Sequence, residues 1–358
     1  MDEAVFAVAL SIAPGDTRFA AVTRLREAWH AGVLPGGVLS EHAVALALGD
    51  RAHAPVDGLL ERARGCLERA ARSGLLPLPF THRAYPPLLA RIADAPPVLW
   101  VRGDPHVLAQ ACVAVVGSRS AGPGGLATAR RLGGELAGAG IVVVSGLARG
   151  IDAAAHEGAV GAGRTVAVLG CGADCVYPAE HAALAARIAA SGAVVSELSP
   201  GTSPQKHHFP LRNRLISGLS LAVVVVEAAE RSGALITARA ALDQGREVMG
   251  VPGPVGGGRN RGTHGLIRDG ALLVETADDV LAALRLLPRP DVVGPAPGPA
   301  DDDVLALLVP GEPVDIDDLA RRSDLDGPAL LARLSGLEVQ GWVERVPGGR
   351  ILRLARKW

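Results

Sequence analysis

A glycine-rich loop, Gly117-Ser118-Arg119-Ser120-Ala121-Gly122-Pro123-Gly124-Gly125, joins an apolar run to the helix-forming stretch 126–137. Glycines let a backbone approach a ligand closely, the N–H groups and dipole of the following helix attract an anion, and Arg119 can clamp a phosphate through two hydrogen bonds. The spacing is neither G-x-G-x-x-G nor G-x-x-x-x-G-K-[ST], so it supports neither a dinucleotide cofactor nor a P-loop. An ordinary strand-to-helix turn is the alternative. A second loop, 203–214, holds Lys206, His207, His208, Phe209, Arg212, Asn213 and Arg214 and no acidic residue. Cations to track a phosphate backbone and an aromatic face to stack a base are what single-strand binding requires. The bland reading is a solvated basic loop with Phe209 in the core. Further on, Ser232 and Gly233 open a helix that carries Thr237. Ser232 can cap that helix and present its N–H groups to a phosphate at once.

Other constellations carry less. Gly170 and Gly172 begin a dinucleotide fingerprint, but Cys175 stands where the third glycine belongs. Asp152 and His156 are four apart and share a helix face, with no third ligand nearby; we expect Asp152 to cap the helix and His156 to make a structural hydrogen bond. Adjacent His207 and His208 cannot share a helix face, and Cys66, Cys112, Cys171 and Cys175 form no C-x-x-C pair, so neither a metal site nor a cofactor is expected.

The elements that must position these loops follow from the hydrophobic pattern. Over 110–285, short β-branched runs at 112–116, 141–144, 165–169, 193–195, 222–226, 247–251 and 271–274 alternate with Ala-rich helical stretches. Continuous apolar strands separated by helices predict a mostly parallel sheet covered on both faces, an α/β Rossmann-like domain whose ligands bind beyond the carboxyl ends of the strands. Residues 1–75 have helical spacing, as in Phe19, Val22, Leu25, Arg26 and Trp29, and predict a small helical domain. The proline-rich stretch 77–105 reads as an irregular lead-in, with a short strand at 99–101, to a domain spanning 76–287. Five prolines over 288–300 mark a semi-rigid linker, and 301–358 read as three helices, 303–308, 316–322 and 328–339, followed by a hairpin about Pro347-Gly348-Gly349: a winged helix.

Composition narrows the partners. At 358 residues the chain is long enough for two or three units. The apolar run 219–226 is broken by Ser220 and too short for a bilayer, and the N-terminus lacks a signal peptide's basic region, so no membrane contact and a cytoplasmic location are expected. A net charge of −1 offers nucleic acid no global attraction, so binding must rest on a local patch. Of the 36 basic side chains only Lys206 and Lys357 are lysines. Residues 110–285 carry 16 basic against 14 acidic side chains, a net of +2, whereas 301–358 carry 8 against 11, a net of −3. The candidate recognition helix, 328–339, offers only Arg333 to a groove, so the winged helix is expected to contact protein, or DNA weakly.

Several motifs in order resemble the DprA/Smf family of DNA-processing proteins: Tyr85-Pro86-Pro87-Leu88-Leu89 with Ile92 and Asp94; Val115 to Arg119; Ser145-Gly146-Leu147-Ala148-Arg149-Gly150-Ile151-Asp152 through His156; Val168 to Asp174 with Tyr177-Pro178; Phe209 to Ser220; and Ser232 to Ala238. The resemblance spans about 76–287; the helical N-terminal region, of the SAM or helix-hairpin-helix kind, matches only in type. His264 departs from it, standing where the family usually has Asn. The resemblance implies a non-enzymatic, dimeric protein that binds single-stranded DNA without sequence specificity and helps load the RecA recombinase during natural transformation and recombination. Carried onto this chain, Gly117, Ser118, Arg119, Ser120, Lys206, Phe209, Arg212, Asn213, Arg214, Ser232, Gly233 and Thr237 line the strand. The competing reading is a Rossmann-like nucleotide phosphoribohydrolase of the lysine-decarboxylase-like type, which also opens with a Gly-Ser-Arg loop. Its P-G-G-x-G-T-x-x-E motif is missing, because neither Pro123-Gly124-Gly125 nor Pro347-Gly348-Gly349 is followed by the catalytic Glu at the required offset. A duplex-reading regulator working through the winged helix is the third reading.

Overall fold

Short runs of Val and Ala that alternate with helical stretches predict strands buried on both faces, and in the computed structural model they form the middle of a nine-stranded sheet. The structure describes residues 2–13, 56–286, 303–309, 312–323, 325–339, 342–346 and 349–353. The expected helical segment around residues 19–29 and the linker at 288–300 lie outside them. Contacts divide the chain into two compact units, Met1–Leu284 and Arg285–Trp358.

In the first unit, β1 (Leu76–Pro79) and β2 (Val98–Gly103) form one edge. The chain then enters the centre at β3 (Cys112–Val116) and steps outward through β4 (Val142–Ser145), β5 (Thr165–Val168) and β6 (Ala193–Ser196). It returns past β3 to add β7 (Ala222–Val225), β8 (Glu247–Gly250) and β9 (Leu272–Leu273) on the other side. The spatial order is β1-β2-β6-β5-β4-β3-β7-β8-β9, parallel from β6 to β9 and antiparallel at β2 and β1. The strand order reverses between β3 and β7, which makes that gap the topological switch point.

The seven parallel strands fall within a few residues of their sequence-based positions. Strand β1 does not match the expected irregular lead-in. Phe80 N–H bonds the Pro97 carbonyl at 2.9 Å, so even-numbered positions turn their N–H groups toward β2. Pro77 and Pro79 occupy the positions whose N–H would face the open edge, where proline costs no ladder bond and blocks further pairing.

Helices cover both faces: α1 (Glu3–Ser11), α2 (Val56–Arg72), α3 (Pro87–Ala90), α4 (Pro123–Gly138), α5 (Ile151–Ala162), α6 (Ala182–Ser191), α7 (His208–Gly218), α8 (Ala234–Asp243), α9 (Arg261–Arg268) and α10 (Ala277–Ala283). Phe6 and Leu10 of α1 and Leu59 and Ala63 of α2 pack with Val98 and Trp100 of β2, so these helices share a core with the sheet.

The second unit holds α11 (Asp303–Ala306), β10 (Pro313–Asp315), α12 (Ile316–Arg322), α13 (Gly327–Val339), β11 (Val343–Val346) and β12 (Arg350–Arg353). Strands β11 and β12 form the expected hairpin, and β10 adds a third strand beside β12. Leu319, Leu334, Leu337, Trp342 and Ile351 close its core, the arrangement of a winged helix.

Candidate nucleic-acid interface

The loops after β3 and β7 and the N-terminal end of α7 converge on an open cleft of about 720 Å³ at the switch point. Eleven of the twelve sequence-expected residues line it: Gly117, Ser118, Arg119, Ser120, Lys206, Phe209, Arg212, Asn213, Ser232, Gly233 and Thr237. Arg214 does not. Two residues along a helix turn a side chain by about 200°, so Arg214 leaves the face of Arg212 and is held by Asp94 at 2.8 Å and Glu197 at 2.6 Å. It is a structural ion-pair centre.

The loop after β3 needs its glycine for packing: a Cβ on Gly117 would lie 2.5 Å from Ile151 Cγ1 and 2.9 Å from the Glu227 carbonyl oxygen. Ser118 N–H donates to that carbonyl at 2.7 Å, tying the β3 loop to the β7 loop. The helix N-terminus beyond is not open to a phosphate as the sequence suggests. The buried carboxylate of Glu227 accepts the Gly122 N–H at 3.2 Å through both oxygens and fills the start of α4. The anion that satisfies this helix dipole comes from the chain itself. Its signal in the sequence was a lone acidic residue directly after an apolar strand.

Arg119 is therefore the charged group that this loop brings to the cleft. It is exposed, and its guanidinium carbon sits 5.4 Å from the Phe209 ring centroid. Phe209 in turn lies 5.5 Å, centroid to centroid, from Tyr177 at an interplanar angle of 44°. Gly170 makes room for it: a Cβ there would come within 3.0 Å of Phe209 Cδ1. Tyr177 is 45% exposed and lines the cleft, yet the sequence reading left it out of the site because it lies in a different loop. Its pairing with Phe209 exists only in the fold. Arg231, also exposed and lining the cleft, was missed in the same way.

Beneath the aromatic pair lies a buried polar floor. Arg212, 4% exposed, donates to the carbonyls of Gly146 at 2.7 Å and Val168. Burial pulls its guanidinium down to about 10, opposed by the Asp152 carboxylate, so it remains charged at neutral pH. Burial pushes the Asp152 carboxyl up, against the pull of Arg212 and of the Ala148 and Gly146 N–H groups. Asp152 accepts Gly146 N–H at 3.1 Å, whereas the α5 N-cap is Gly150, with no side-chain cap bond. Asp152 thus pins the loop before the helix instead of capping it. His156 makes the expected structural bond, Nδ1 to Thr165 Oγ1 at 2.7 Å, with that hydroxyl donating to the Val143 carbonyl at 2.6 Å. Full burial lowers the imidazole to about 3, so it is neutral.

On the far side, Ser232 Oγ accepts Ala234 N–H at 3.3 Å at the start of α8, and Asn213 Nδ2 donates to the Gly233 carbonyl at 3.3 Å. Thr237 is 2% exposed. His264, in the place usually taken by Asn, bonds the Gly253 carbonyl through Nε2 at 3.0 Å and steadies the loop after β8. The four cysteines are free; Cys66, Cys112 and Cys171 are buried and Cys175 half-buried. No described helix is long and apolar enough to cross a membrane.

Comparison with known proteins places this geometry. Residues 77–285 match the family described as DNA recombination-mediator protein A, and residues 288–349 match the DprA winged helix domain. Protein Smf of Escherichia coli (strain K12) is 41% identical over 290 residues, 78% of this chain and 77% of that one. DNA processing protein DprA of Streptococcus pneumoniae is 44% identical over 199 residues, 55% of this chain and 70% of that one. Among solved structures, DprA from Streptococcus pneumoniae superposes with a TM-score of 0.67 at 34% identity, covering 79% of this chain and 98% of that one. A structure describing the single-stranded DNA binding mode of DNA processing protein A from Helicobacter pylori gives a TM-score of 0.54 at 28% identity, covering 60% of this chain and 97% of that one.

Proposed function

The chain belongs to the DNA recombination-mediator protein A family, and from that premise we propose that it captures single-stranded DNA in the switch-point cleft without sequence preference and without cleaving it. The observation that carries this is the Arg119–Phe209–Tyr177 cluster flanked by Lys206 and Arg231. A base stacks on an aromatic face whatever its identity, and cations follow the phosphates. Arg212 supports the strand from below as a buried positive charge; held by two carbonyls, it reinforces the field of the cleft more than it grips a phosphate. The bound strand is then handed to the RecA recombinase, with the protein acting as a dimer in the cytoplasm, as the resemblance to the family implies.

Carboxylates argue for binding over hydrolysis. Asp152, at the cleft floor, is committed to Gly146 N–H and Arg212, and Glu227 to Gly122 N–H. Neither is placed to activate a nucleophile on a nucleotide. Fluorescence anisotropy with oligo-dT tests the reading: we expect Arg119→Ala and Lys206→Ala each to weaken binding and to reduce the salt slope by about 0.7. Unchanged affinity in both variants, or release of free base from nucleoside monophosphates, would overturn it. Stimulation of RecA-dependent strand exchange on DNA coated by single-strand-binding protein tests the hand-over; a chain that binds the strand without stimulating exchange is no loader.

A further inference from the structure

A second pocket, of about 460 Å³, opens between α2 and the loop after β6. Its α2 wall is one helix face, Arg62, Gly65, Cys66 and Arg69, at the spacing i, i+3, i+4 and i+7. Both arginines are exposed, and neither has a carboxylate within ion-pair distance among the described residues. Arg69 is oriented from below, its Nη2 donating to Cys66 Sγ at 2.9 Å. The opposite wall is Ser199, Pro200, Gly201 and Thr202.

This wall is continuous with the cleft. Gly172 N–H donates to the Thr202 carbonyl at 2.9 Å, and Asp174 accepts Gly201 N–H with both oxygens at 3.0 and 2.9 Å. The Asp174 carboxylate is thereby turned onto a backbone N–H. The two loops so joined end in Tyr177 and Lys206, both of which line the cleft. Thr202 and Lys206 are four residues apart, so at most about 14 Å separates them. A strand rising about 3.4 Å per nucleotide, the duplex value, bridges that gap with about four nucleotides, and a stretched one with fewer.

We infer that DNA leaving the cleft past Tyr177 and Lys206 runs on across α2, where Arg62 and Arg69 hold its flanking phosphates. This rests on the cleft being the strand-binding site. The second pocket has no aromatic residue in its lining, so it contributes phosphate contacts alone. Two such contacts on a single strand carry a salt slope of about 1.4, which at 0.15 M salt corresponds to about tenfold in affinity.

The test compares dT4, which fills the cleft alone, with dT20, which reaches both sites, on the full chain by competition anisotropy. Arg62→Ala/Arg69→Ala is expected to weaken dT20 about tenfold and cut its salt slope by about 1.4, leaving dT4 unchanged. Arg62→Lys/Arg69→Lys, which keeps the charges, is expected to restore most of the loss. Unchanged dT20 affinity in the alanine variant overturns the inference, and so does an equal fall for dT4 and dT20. If the wild-type chain binds neither oligonucleotide, the cleft reading fails first and the extension with it.

Discussion

At the scale of single residues, the site depends on side chains that acquire their roles from neighbours. Phe209 is a lone aromatic in a basic loop until Tyr177 and Arg119 come to either side of it. Replacing it by Ala removes a stacking platform worth about 1–3 kcal/mol, so oligo-dT affinity is expected to fall about 5- to 150-fold while the salt slope, which counts phosphates, stays within about 0.3 of wild type. A change of slope without loss of affinity would remove Phe209 from the site. His156 lies outside the cleft lining and bears on acid stability. Its imidazole is held at about 3 in the folded chain and titrates near 6.5 when unfolded. The unfolded chain therefore binds the extra proton, so the contribution of this residue is fully present above about pH 6.5 and is lost progressively as the pH falls toward 3. Urea midpoints measured at pH 7.5 and 5.0 are expected to drop less in His156→Gln than in wild type. An equal drop would mean that the histidine is not buried neutral.

At the scale of elements, the order of strands and helices decides which residues meet. The seven parallel strands were legible because short β-branched runs alternate with Ala-rich helical stretches, and the cleft followed from them by the rule that ligands sit beyond the strand ends. What was not legible depended on contacts between distant segments. Arg214 resembles Arg212 in sequence, but the helical turn carries it to Asp94 and Glu197. Tyr177 joins the site through the fold of the loop after β5, and Pro77 and Pro79 read as strand breakers until β1 is recognised as an edge. Glu227 is the sharpest case, because the glycine-rich loop promised a phosphate a free helix N-terminus and a carboxylate 105 residues on in the sequence already occupies it. Removing it with Glu227→Ala is expected to cost about 1–2 kcal/mol of stability, read from urea unfolding. Oligo-dT affinity should hold or rise, since an acidic group beside the path is gone. A fall in affinity at unchanged fold would assign Glu227 to DNA binding directly.

At the scale of the whole molecule, a chain with net charge −1 binds a polyanion only by segregating its cations. The first unit does so around the switch point, where Arg119, Lys206 and Arg231 stand exposed and Arg212 lies buried beneath. The winged-helix unit is acidic over 301–358, and its longest helix, α13, offers a groove little beyond Arg333, which fits a protein contact better than a duplex. On the proposed reading, single-strand capture belongs to the sheet. The most direct test is photo-crosslinking of the full chain to an oligonucleotide carrying 5-iodouracil, with the adducts mapped by mass spectrometry. We expect the principal adducts on Phe209 and Tyr177, lost when excess unlabelled oligo-dT is present. Adducts confined to α13 and the β11–β12 hairpin, with none on the two aromatic rings, would contradict the account.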